Sequence, residues 1–414
     1  MKLYNKNDTG YLPRQAAEYC IILIFLKFSF RRNCIFSVFQ ICLDLRGSAD
    51  KKFGEGEITM NYEPMKLKGE RVWRTYVGGK NLGRLHGEAD AQDDHFPEEW
   101  MYSVTRASNA GREDIEEGIC RMDDGSGKTL KEQIEGDPEG MLGKEHTMRW
   151  GSQPGVLIKL IDSKERLTVQ VHPDKETAEK LFHSPFGKTE SWHILDTRPE
   201  EENPCIYLGF REGITRDLWE ECFCRQDYEK MLSLMNQIQV KKGETYLVKG
   251  GVPHAIGAGC LLIEVQEPTD YTIRVEKVTP AGFVIDDQMC HQGLGFEKMF
   301  DCFRYQGMSE KEVKDTYRLL PRKVSENETQ LITYQDTPCF CMEELETEGQ
   351  LKLTGEGEFY CLYVLEGKGT LESPSQTWEI AAGAQFFVPA ACGEYCIRAA
   401  QGETVRVLKM HGPK

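Results

Sequence analysis

Short runs in which apolar and polar residues alternate, separated by Gly and Pro, recur along most of the chain and predict a mainly β protein. The runs before residue 280 predict strands over 100–106, 156–161, 167–172, 192–196, 205–209, 237–240, 245–248 and 260–266. The runs after residue 323 predict strands over 330–334, 359–365, 377–381, 385–388, 395–399 and 404–409. Closely spaced strands and turns of this kind are typical of a sandwich or barrel.

Helical spacing is limited to a few segments, predicted over 129–135, 175–182, 215–236 and 286–320. The last of these lies between the two β-rich regions and is limited by Pro321. The stretch 82–98 is polar and reads as a loop.

A weak internal repeat suggests that the two β-rich regions are related. Gly243, Gly251 and His254 follow the frame Gly, five residues, Pro, any residue, Gly, two residues, His, although a lysine takes the proline position. Gly383 opens the same frame again, and Glu394 stands where the histidine would be. We therefore expect two cupin (jelly-roll) barrels with a helical insertion between them, the second without a metal ligand at this position.

These patterns divide the chain into four segments. Residues 60–285 are predicted to form an N-terminal catalytic cupin domain, 286–322 a helical linker or insertion, and 323–414 a C-terminal cupin-like β domain without a metal site. Residues 1–59 are interpreted as a non-native or disordered N-terminal extension.

The interpretation of this N-terminal segment depends on two features. Its apolar run at 20–26 is too short to span a bilayer and is followed, not preceded, by positive charges. Residues 51–59, KKFGEGEIT, are compatible with translation of a purine-rich stretch resembling a ribosome-binding site, and the next residue is Met60. We expect Met60 to be the native start.

Charge and cysteine content narrow the class of protein. The chain has 414 residues, with 51 Lys and Arg against 67 Asp and Glu, and a formal net charge of -16. This balance argues against nonspecific binding to nucleic acid or to an anionic membrane. Its 15 cysteines include no CxxC pair, which favours reduced thiols and a cytoplasmic protein. We expect a monomer or weak homo-oligomer.

Candidate chemistry concentrates in three motifs. In the run LTVQVHP, the residues Thr168, Gln170 and His172 share one face of a strand that should end at Pro173. GKTE supplies the carboxylate of Glu190, and GGVPH supplies a second imidazole. Two imidazoles, a carboxylate and an amide suit zinc, and also Mn, Fe or Co. The sequence thus predicts a metal site formed by Gln170, His172, Glu190 and His254.

The motifs also resemble a known family. LTVQVHPDKETAEK, GKTESWHIL and GETYLVKGGVPHAIGAGCLLIEVQEPTDYTIRV are similar to the signatures of class I mannose-6-phosphate isomerases, in particular the short bacterial form of the cupin superfamily. The likeness is strong over residues 95–280. It implies a pair of cupin barrels, one Zn²⁺ held by the four ligands above, and a sugar phosphate as the small-molecule substrate.

The resemblance also implies roles for further residues. Lys188 and Arg274 match catalytic and substrate-binding positions, Glu264 a catalytic position, and Thr168 a substrate-binding position. The implied reaction interconverts mannose 6-phosphate and fructose 6-phosphate through a cis-enediol. A metal and a cation would stabilise the enediolate charge, and a base must reach the transferred proton. Glu264, Lys188 or a metal-linked water are all open as that base.

Alternatives stay open. An epimerase or a metal dioxygenase could use the same ligand set, and a non-catalytic cupin could bind the sugar without turnover. An isomerase of a related phosphosugar is a third alternative, because Pro268-Thr-Asp270 departs from the family's usual Ser-Asp stretch before the arginine.

Overall fold

The computed structural model describes residues 62–414. The expectation for residues 1–59 lies outside this range. The strands up to residue 280 are β1 Met65–Lys68, β2 Glu70–Val72, β3 Glu98–Tyr102, β4 Arg121–Met122, β5 Leu157–Asp162, β6 Gln170–Val171, β7 Glu190–Thr197, β8 Cys205–Phe210, β9 Met235–Gln239, β10 Thr245–Val248, β11 His254–Ile256, β12 Cys260–Gln266 and β13 Ile273–Arg274.

The later strands are β14 Arg318–Leu319, β15 Arg322–Lys323, β16 Glu328–Ile332, β17 Cys341–Thr347, β18 Gln350–Leu353, β19 Tyr360–Glu366, β20 Lys368–Glu372, β21 Thr377–Ala381, β22 Gln385–Val388, β23 Tyr395–Ala399 and β24 Val405–His411. The helices are α1 Lys80–Leu85, α2 Leu130–Gly136, α3 Pro138–Leu142, α4 Lys144–Trp150, α5 Lys175–Phe182, α6 Arg216–Arg225, α7 Tyr228–Ser233, α8 Asp287–His291 and α9 Glu310–Tyr317, with a 3₁₀ turn at Lys298–Cys302.

Most predicted elements are confirmed, and several helices begin where side-chain caps are available. Thr129 caps α2 through a capping box with Glu132, and Asp174 caps α5 by accepting a hydrogen bond from the Thr177 amide. The predicted helix at 286–320 is wrong in its extent, because only α8, the 3₁₀ turn and α9 are helical there and β14 follows α9 directly. The predicted helix at 215–236 is also wrong in its extent. It breaks at Gln226, which is left-handed at φ 51°, resumes as α7, and gives way to β9.

The strands pair into four sheets within the described range. One has the order β14-β10-β7-β12-β5-β3-β2, and a second has the order β13-β6-β11-β8-β9. The third has the order β15-β16-β17-β24-β19-β22-β1-β4, and the fourth β18-β23-β20-β21. The first two hold the three chemical motifs. The third recruits β1 from the beginning of the described chain, with Met65 opposite Phe387.

A shared hydrophobic cluster joins the β-rich regions. Ile158 and Ile263 of the first sheet belong to the same buried cluster as Met410 of the third. The rings of Tyr102 and Phe387 stack within it at a centroid distance of 5.6 Å. The first sheet is therefore supported from behind by the later strands. None of the helices in residues 62–414 is long and apolar enough to cross a membrane.

The stretch 82–98, expected to be a surface loop, contains the end of α1 and is tied to the core. Arg198 donates hydrogen bonds to Asp93 and, at 2.8 Å, to the buried Asp162, whose carboxylate also accepts the Asn81 amide at 2.7 Å. The polar composition of this stretch did not predict these contacts, because Asp93 pairs with an arginine that is more than a hundred positions away in sequence.

A candidate metal centre and its cavity

Backbone hydrogen bonds bring the three motifs together around the end of β6. The His172 carbonyl accepts the Gly251 amide at 2.7 Å, and the Pro173 carbonyl accepts the Lys188 amide at 2.9 Å. His254 lies opposite Gln170 in the pairing of β11 with β6. Proline ends the strand as expected from its missing N–H. Its carbonyl then serves as an acceptor for the neighbouring motif.

Three of the predicted ligands form a tight, fully buried group. His172, Glu190 and His254 offer ligand atoms that all lie within 4.8 Å of one another, and each residue is 1% exposed. His172 Nε2 lies 2.8 Å from Glu190 Oε1, and His254 Nε2 lies 3.8 Å from Glu190 Oε2. In the described part of the chain, no other group of three or more His, Cys, Asp or Glu residues has this geometry.

The hydrogen bonding of the imidazoles fits a metal. Nδ1 of His172 donates to the Tyr271 carbonyl at 2.7 Å, and Nδ1 of His254 donates to the Val252 carbonyl at 2.8 Å. With the proton on Nδ1, each Nε2 presents a lone pair toward Glu190. Burial lowers the pKa of His172 to about 3 and also lowers the pKa of His254, so both rings are neutral and able to act as ligands.

The Glu190 carboxylate supports the same conclusion. Both of its oxygens are buried without a hydrogen bond in this structure. Leaving a buried carboxylate without such partners is costly, and a divalent cation would satisfy both oxygens. Despite its burial, the pKa of Glu190 is held well below its usual range by the adjacent His172 and Lys188.

Gln170, the fourth predicted ligand, reaches the group from the side. Its amide nitrogen lies 3.4 Å from His254 Nε2. Amide nitrogen and oxygen are exchanged by a half-turn about the last side-chain bond, so the oxygen can occupy the same position. The residues present therefore fit a cation held by two imidazoles, one carboxylate and one amide.

A small cavity lies beside this group, and all the other predicted site residues line it. They are Thr168, Lys188, Glu264 and Arg274. The ammonium of Lys188 is 3% exposed and lies 3.1 Å from Glu190 Oε1 and 3.3 Å from His172 Nε2. Lys188 thus places a positive charge directly next to the candidate metal ligands.

Arg274 enters from β13 and is held by backbone groups. Its guanidinium donates to the Thr272 carbonyl at 3.2 Å and to the Met289 carbonyl at 3.0 Å. No carboxylate within residues 62–414 lies within 4.0 Å of it, so backbone carbonyls and not an ion pair hold the guanidinium. Burial lowers its pKa, although Asp270 opposes that effect.

Glu264 is 2% exposed and is held by two partners. Trp192 Nε1 donates to Oε2 at 2.9 Å, and the ammonium of Lys159 lies 2.9 Å from Oε1. Burial and the negative charge of Glu190 raise the pKa of Glu264 above its usual range, while Lys159 opposes the shift. A carboxyl with a raised pKa at a cavity wall suits general acid or base chemistry.

Sequence reasoning missed part of this wall. Lys159, Glu98 and Arg74 line the cavity, and each is 4–5% exposed. The one available signal was a lysine inside the apolar run VLIKLID, since such a residue is buried only with charged partners. Asp270, noted in sequence only as a departure from a motif, accepts the Ser108 amide at 2.9 Å and pairs with Arg74 at 3.4 Å.

The second copy of the repeat frame lacks any such group. Glu394, in the position of the histidine, has a side chain that is 64% exposed and pairs with Lys352 at 3.0 Å. Gly383 keeps the left-handed turn at φ 91°, as its counterpart Gly243 does at 85°. The turn is therefore similar in the two copies, while the chemistry is found in one.

Comparison with known proteins agrees with this description. Residues 85–191 match the family model "Phosphomannose isomerase type I, catalytic domain", and residues 330–409 match "Mannose-6-phosphate isomerase, cupin domain". The Bacillus subtilis protein "Mannose-6-phosphate isomerase ManA" is 25% identical over 345 residues, which cover 81% of this chain and 96% of the relative. The Streptococcus mutans "Mannose-6-phosphate isomerase" is 25% identical over 259 residues, covering 61% and 75%.

Solved structures give the same fold. The crystal structure of the mannose 6-phosphate isomerase from Bacillus subtilis superposes with a TM-score of 0.65 at 22% identity, over 84% of this chain and 99% of that one. A putative mannosephosphate isomerase from Archaeoglobus fulgidus gives a TM-score of 0.63 at 18% identity, over 86% and 100%. Fold and site together define a cupin-type protein with a candidate metal centre. Within that class, the chain is similar to type I phosphomannose isomerases over residues 85–191 and 330–409.

Proposed function

We propose that this chain is a metal-dependent mannose-6-phosphate isomerase that interconverts mannose 6-phosphate and fructose 6-phosphate through a cis-enediol. The observation that carries the proposal is the buried group of His172, Glu190 and His254 with the ammonium of Lys188 beside it at the wall of a cavity. The match to the type I catalytic-domain model and the similarity to curated mannose-6-phosphate isomerases support the same substrate.

Gln170, His172, Glu190 and His254 would hold the metal, which we propose to be one Zn²⁺ per chain, with Mn, Fe or Co as alternatives. When bound, the cation would polarise the sugar carbonyl and stabilise the charge of the enediolate. The Nδ1 hydrogen bonds of the two histidines orient the rings for this role.

The remaining residues would bind and position the substrate. Lys188 and Arg274 supply positive charge for the phosphate or for the enediolate oxygen, and Thr168 supplies a hydroxyl at the same wall. We propose that Glu264 moves the proton between C1 and C2. Its carboxyl has a raised pKa, whereas Lys188 is occupied by its ion pair with Glu190.

The proposal also covers the architecture of the chain, its compartment and its oligomeric state. We propose that the sheets form two cupin barrels with the helical segment between them, divided as 60–285, 286–322 and 323–414, with β1 and β4 contributing to the sheet of the last region. We also propose a cytoplasmic monomer or weak homo-oligomer whose only substrate is a small sugar phosphate.

One observation favours a second candidate. Asp270 departs from the family motif, lines the cavity, and is held by Arg74 and the Ser108 amide. A carboxylate in this wall would accept hydrogen bonds from a sugar hydroxyl, so an isomerase of a related phosphosugar is the alternative.

A coupled assay for fructose 6-phosphate tests the proposal. The protein is purified, stripped with a chelator, and assayed before and after addition of Zn²⁺, Mn²⁺, Fe²⁺ or Co²⁺. We expect turnover to vanish on stripping and to return with metal. A metal-loaded preparation that converts other hexose 6-phosphates but not mannose 6-phosphate would favour the alternative, and no turnover on any of them would refute an isomerase.

A further inference from the structure

A buried lysine in the apolar strand β5 is the strongest feature that the proposed mechanism does not yet use. Lys159 is 4% exposed and lies between Ile158 and Leu160, which are 0% and 1% exposed. Burying an ammonium is strongly unfavourable unless charged partners compensate for the lost hydration. A lysine retained in such a strand therefore depends on what its ammonium contacts.

The ammonium contacts two carboxylates of the cavity wall. Nζ lies 2.9 Å from Glu264 Oε1 and 3.5 Å from Glu98 Oε2. Lys159 and Glu264 are directly opposite each other in the pairing of β5 with β12. The ion pair is thus fixed by the register of the sheet and does not depend on a flexible loop.

Glu98 is anchored independently of Lys159. Its oxygens accept the Tyr76 hydroxyl at 2.8 Å, Trp100 Nε1 at 2.8 Å and Arg74 Nε at 3.0 Å. Arg74 holds the pKa of Glu98 well below its usual range, with Lys159 adding to the effect. Glu98 is therefore a permanent anion, and it holds Lys159 in its charged form.

Glu264 is consequently held at both oxygens. Trp192 Nε1 donates to Oε2, and Lys159 lies against Oε1, so the carboxylate has a defined orientation in the wall of the cavity. The charged groups whose fields act on it are Lys159 on β5, Glu190 at the start of β7, and Lys188 just before it. Lys159 is the one in direct contact.

We propose that Lys159 is a positioning residue for the isomerisation, holding Glu264 ionised and oriented for proton transfer, with Glu98 as its anchor. This inference rests on the proposed function, because it assigns the proton transfer to Glu264. Lys159 itself takes no proton from the substrate in this scheme.

Lys159→Met tests the proposal, since methionine nearly preserves the shape of the side chain and removes the charge. We expect kcat at pH 7 to fall about tenfold or more and KM to change less than about threefold. The acidic limb of the pH profile of kcat should move upward by about one pH unit, because Glu264 loses its cation. Lys159→Arg should restore most of the rate. Lys164→Met, at a lysine whose side chain is 48% exposed, is the matched control.

A double-mutant cycle separates this role from a structural one. If Lys159 acts through Glu264, the variant carrying both Lys159→Met and Glu264→Gln will be no slower than Glu264→Gln alone. An equal loss in both backgrounds, or an unshifted pH profile, overturns the proposal. If Lys159→Met does not fold, Glu98→Gln serves instead. Without its anchor, Lys159 should lose its fixed contact with Glu264, so the acidic limb should move to higher pH. No shift, or the shift to lower pH that loss of a negative charge alone would give, would contradict the proposal.

Infrared difference spectroscopy without substrate distinguishes the two levels of inference. The carboxyl band that is absent in Glu264→Gln belongs to Glu264, and its intensity as a function of pH reports the titration of this residue directly. The midpoint of that titration should move to higher pH in Lys159→Met. If the wild type lacks isomerase activity but the titration midpoint differs between wild type and Lys159→Met, the proposed function is wrong and the effect of Lys159 on Glu264 is supported. If the wild type is active and the titration midpoint is the same in both proteins, the proposed function stands and the proposed role of Lys159 is wrong.

Discussion

His172 Nε2 and Glu190 Oε1 lie 2.8 Å apart in a region that solvent does not reach, each residue being 1% exposed. Because His172 donates its Nδ1 proton to the Tyr271 carbonyl, its Nε2 has a lone pair facing an anionic oxygen. Two electron-rich atoms at this distance repel each other unless a cation lies between or beside them. The ammonium of Lys188, 3.1 Å from the same oxygen, meets part of this need, and a metal ion held by the two groups would meet the rest.

Replacing His254 with alanine should remove metal and activity together. The variant loses one of the two imidazoles, so Glu190 and His172 would have to hold the cation with one ligand fewer. We expect metal content, measured by inductively coupled plasma mass spectrometry, to fall from about one per chain to near zero, and turnover to fall with it. His183→Asn, at an exposed histidine outside the cluster, is the control. Full metal occupancy in His254→Ala would show that the ligand is misassigned.

Arg274→Ala should separate substrate chemistry from metal binding. The guanidinium contacts two backbone carbonyls and none of the proposed ligands, so its loss should leave the metal in place. Loss of a charge that stabilises an oxyanion lowers kcat by about a hundredfold or more. We expect full metal content, a similar unfolding temperature and this loss of turnover. Unchanged turnover would exclude Arg274 from the mechanism, and loss of metal would indicate a structural role.

The sequence was sufficient for the first set of site residues because each motif carries its ligand in a short, ordered segment. Gln170, His172, Glu190 and His254 were identified from local spacing, and the structure brings all four together. The strands β10, β12, β21, β22 and β23 were predicted with their observed bounds, because they are short, largely apolar runs with Gly or Pro close to their ends.

The second set could not be found in the same way. Glu98, Lys159 and Arg74 come from segments that are far apart in sequence. Apart from the position of Lys159 within an apolar run, nothing local shows that these charges are buried together. Strand β1 is a similar case. Its first two residues, Met65 and Lys66, pair with Phe387 and Phe386 of β22, and nothing local indicates so distant a partner. Long-range pairing depends on the whole sheet, which a single sequence does not reveal.

Gly250→Ala should weaken the metal centre without unfolding the protein. A Cβ at this position would lie 2.5 Å from Asp174 Cα, which is backbone and cannot move without displacing His172 and Pro173. We expect the metal dissociation constant, measured with a competing chelator, to rise about tenfold or more. Gly393→Ala is the control, because its added Cβ meets nothing within 4 Å. An unchanged dissociation constant in Gly250→Ala would show that the contact between the motifs is not needed for binding.

His411 should make the folded state sensitive to mild acid. It is 8% exposed, its Nδ1 has no hydrogen-bond partner, and burial lowers its pKa to about 3, with Lys409 and Lys414 adding to the effect. The unfolded chain takes up a proton at this residue below its ordinary pKa of about 6.5, while the folded protein does not. The free energy of unfolding should therefore be highest above pH 6.5 and fall toward pH 3, with a slope that approaches about 1.4 kcal/mol per pH unit from this residue.

Urea unfolding of the chelator-treated protein at pH 7, 6 and 5 measures this contribution. His411→Gln lacks the ionisable ring, so its free energy of unfolding should fall less steeply than that of the wild type. The buried His193, whose pKa is also lowered, to about 4, contributes equally to both proteins and cancels in the comparison. His183→Asn should follow the wild type. Parallel curves for wild type and His411→Gln would mean that His411 is protonated in the folded state, through a rearrangement toward Glu343 or Glu358, which lie 3.9 Å from its ring nitrogens.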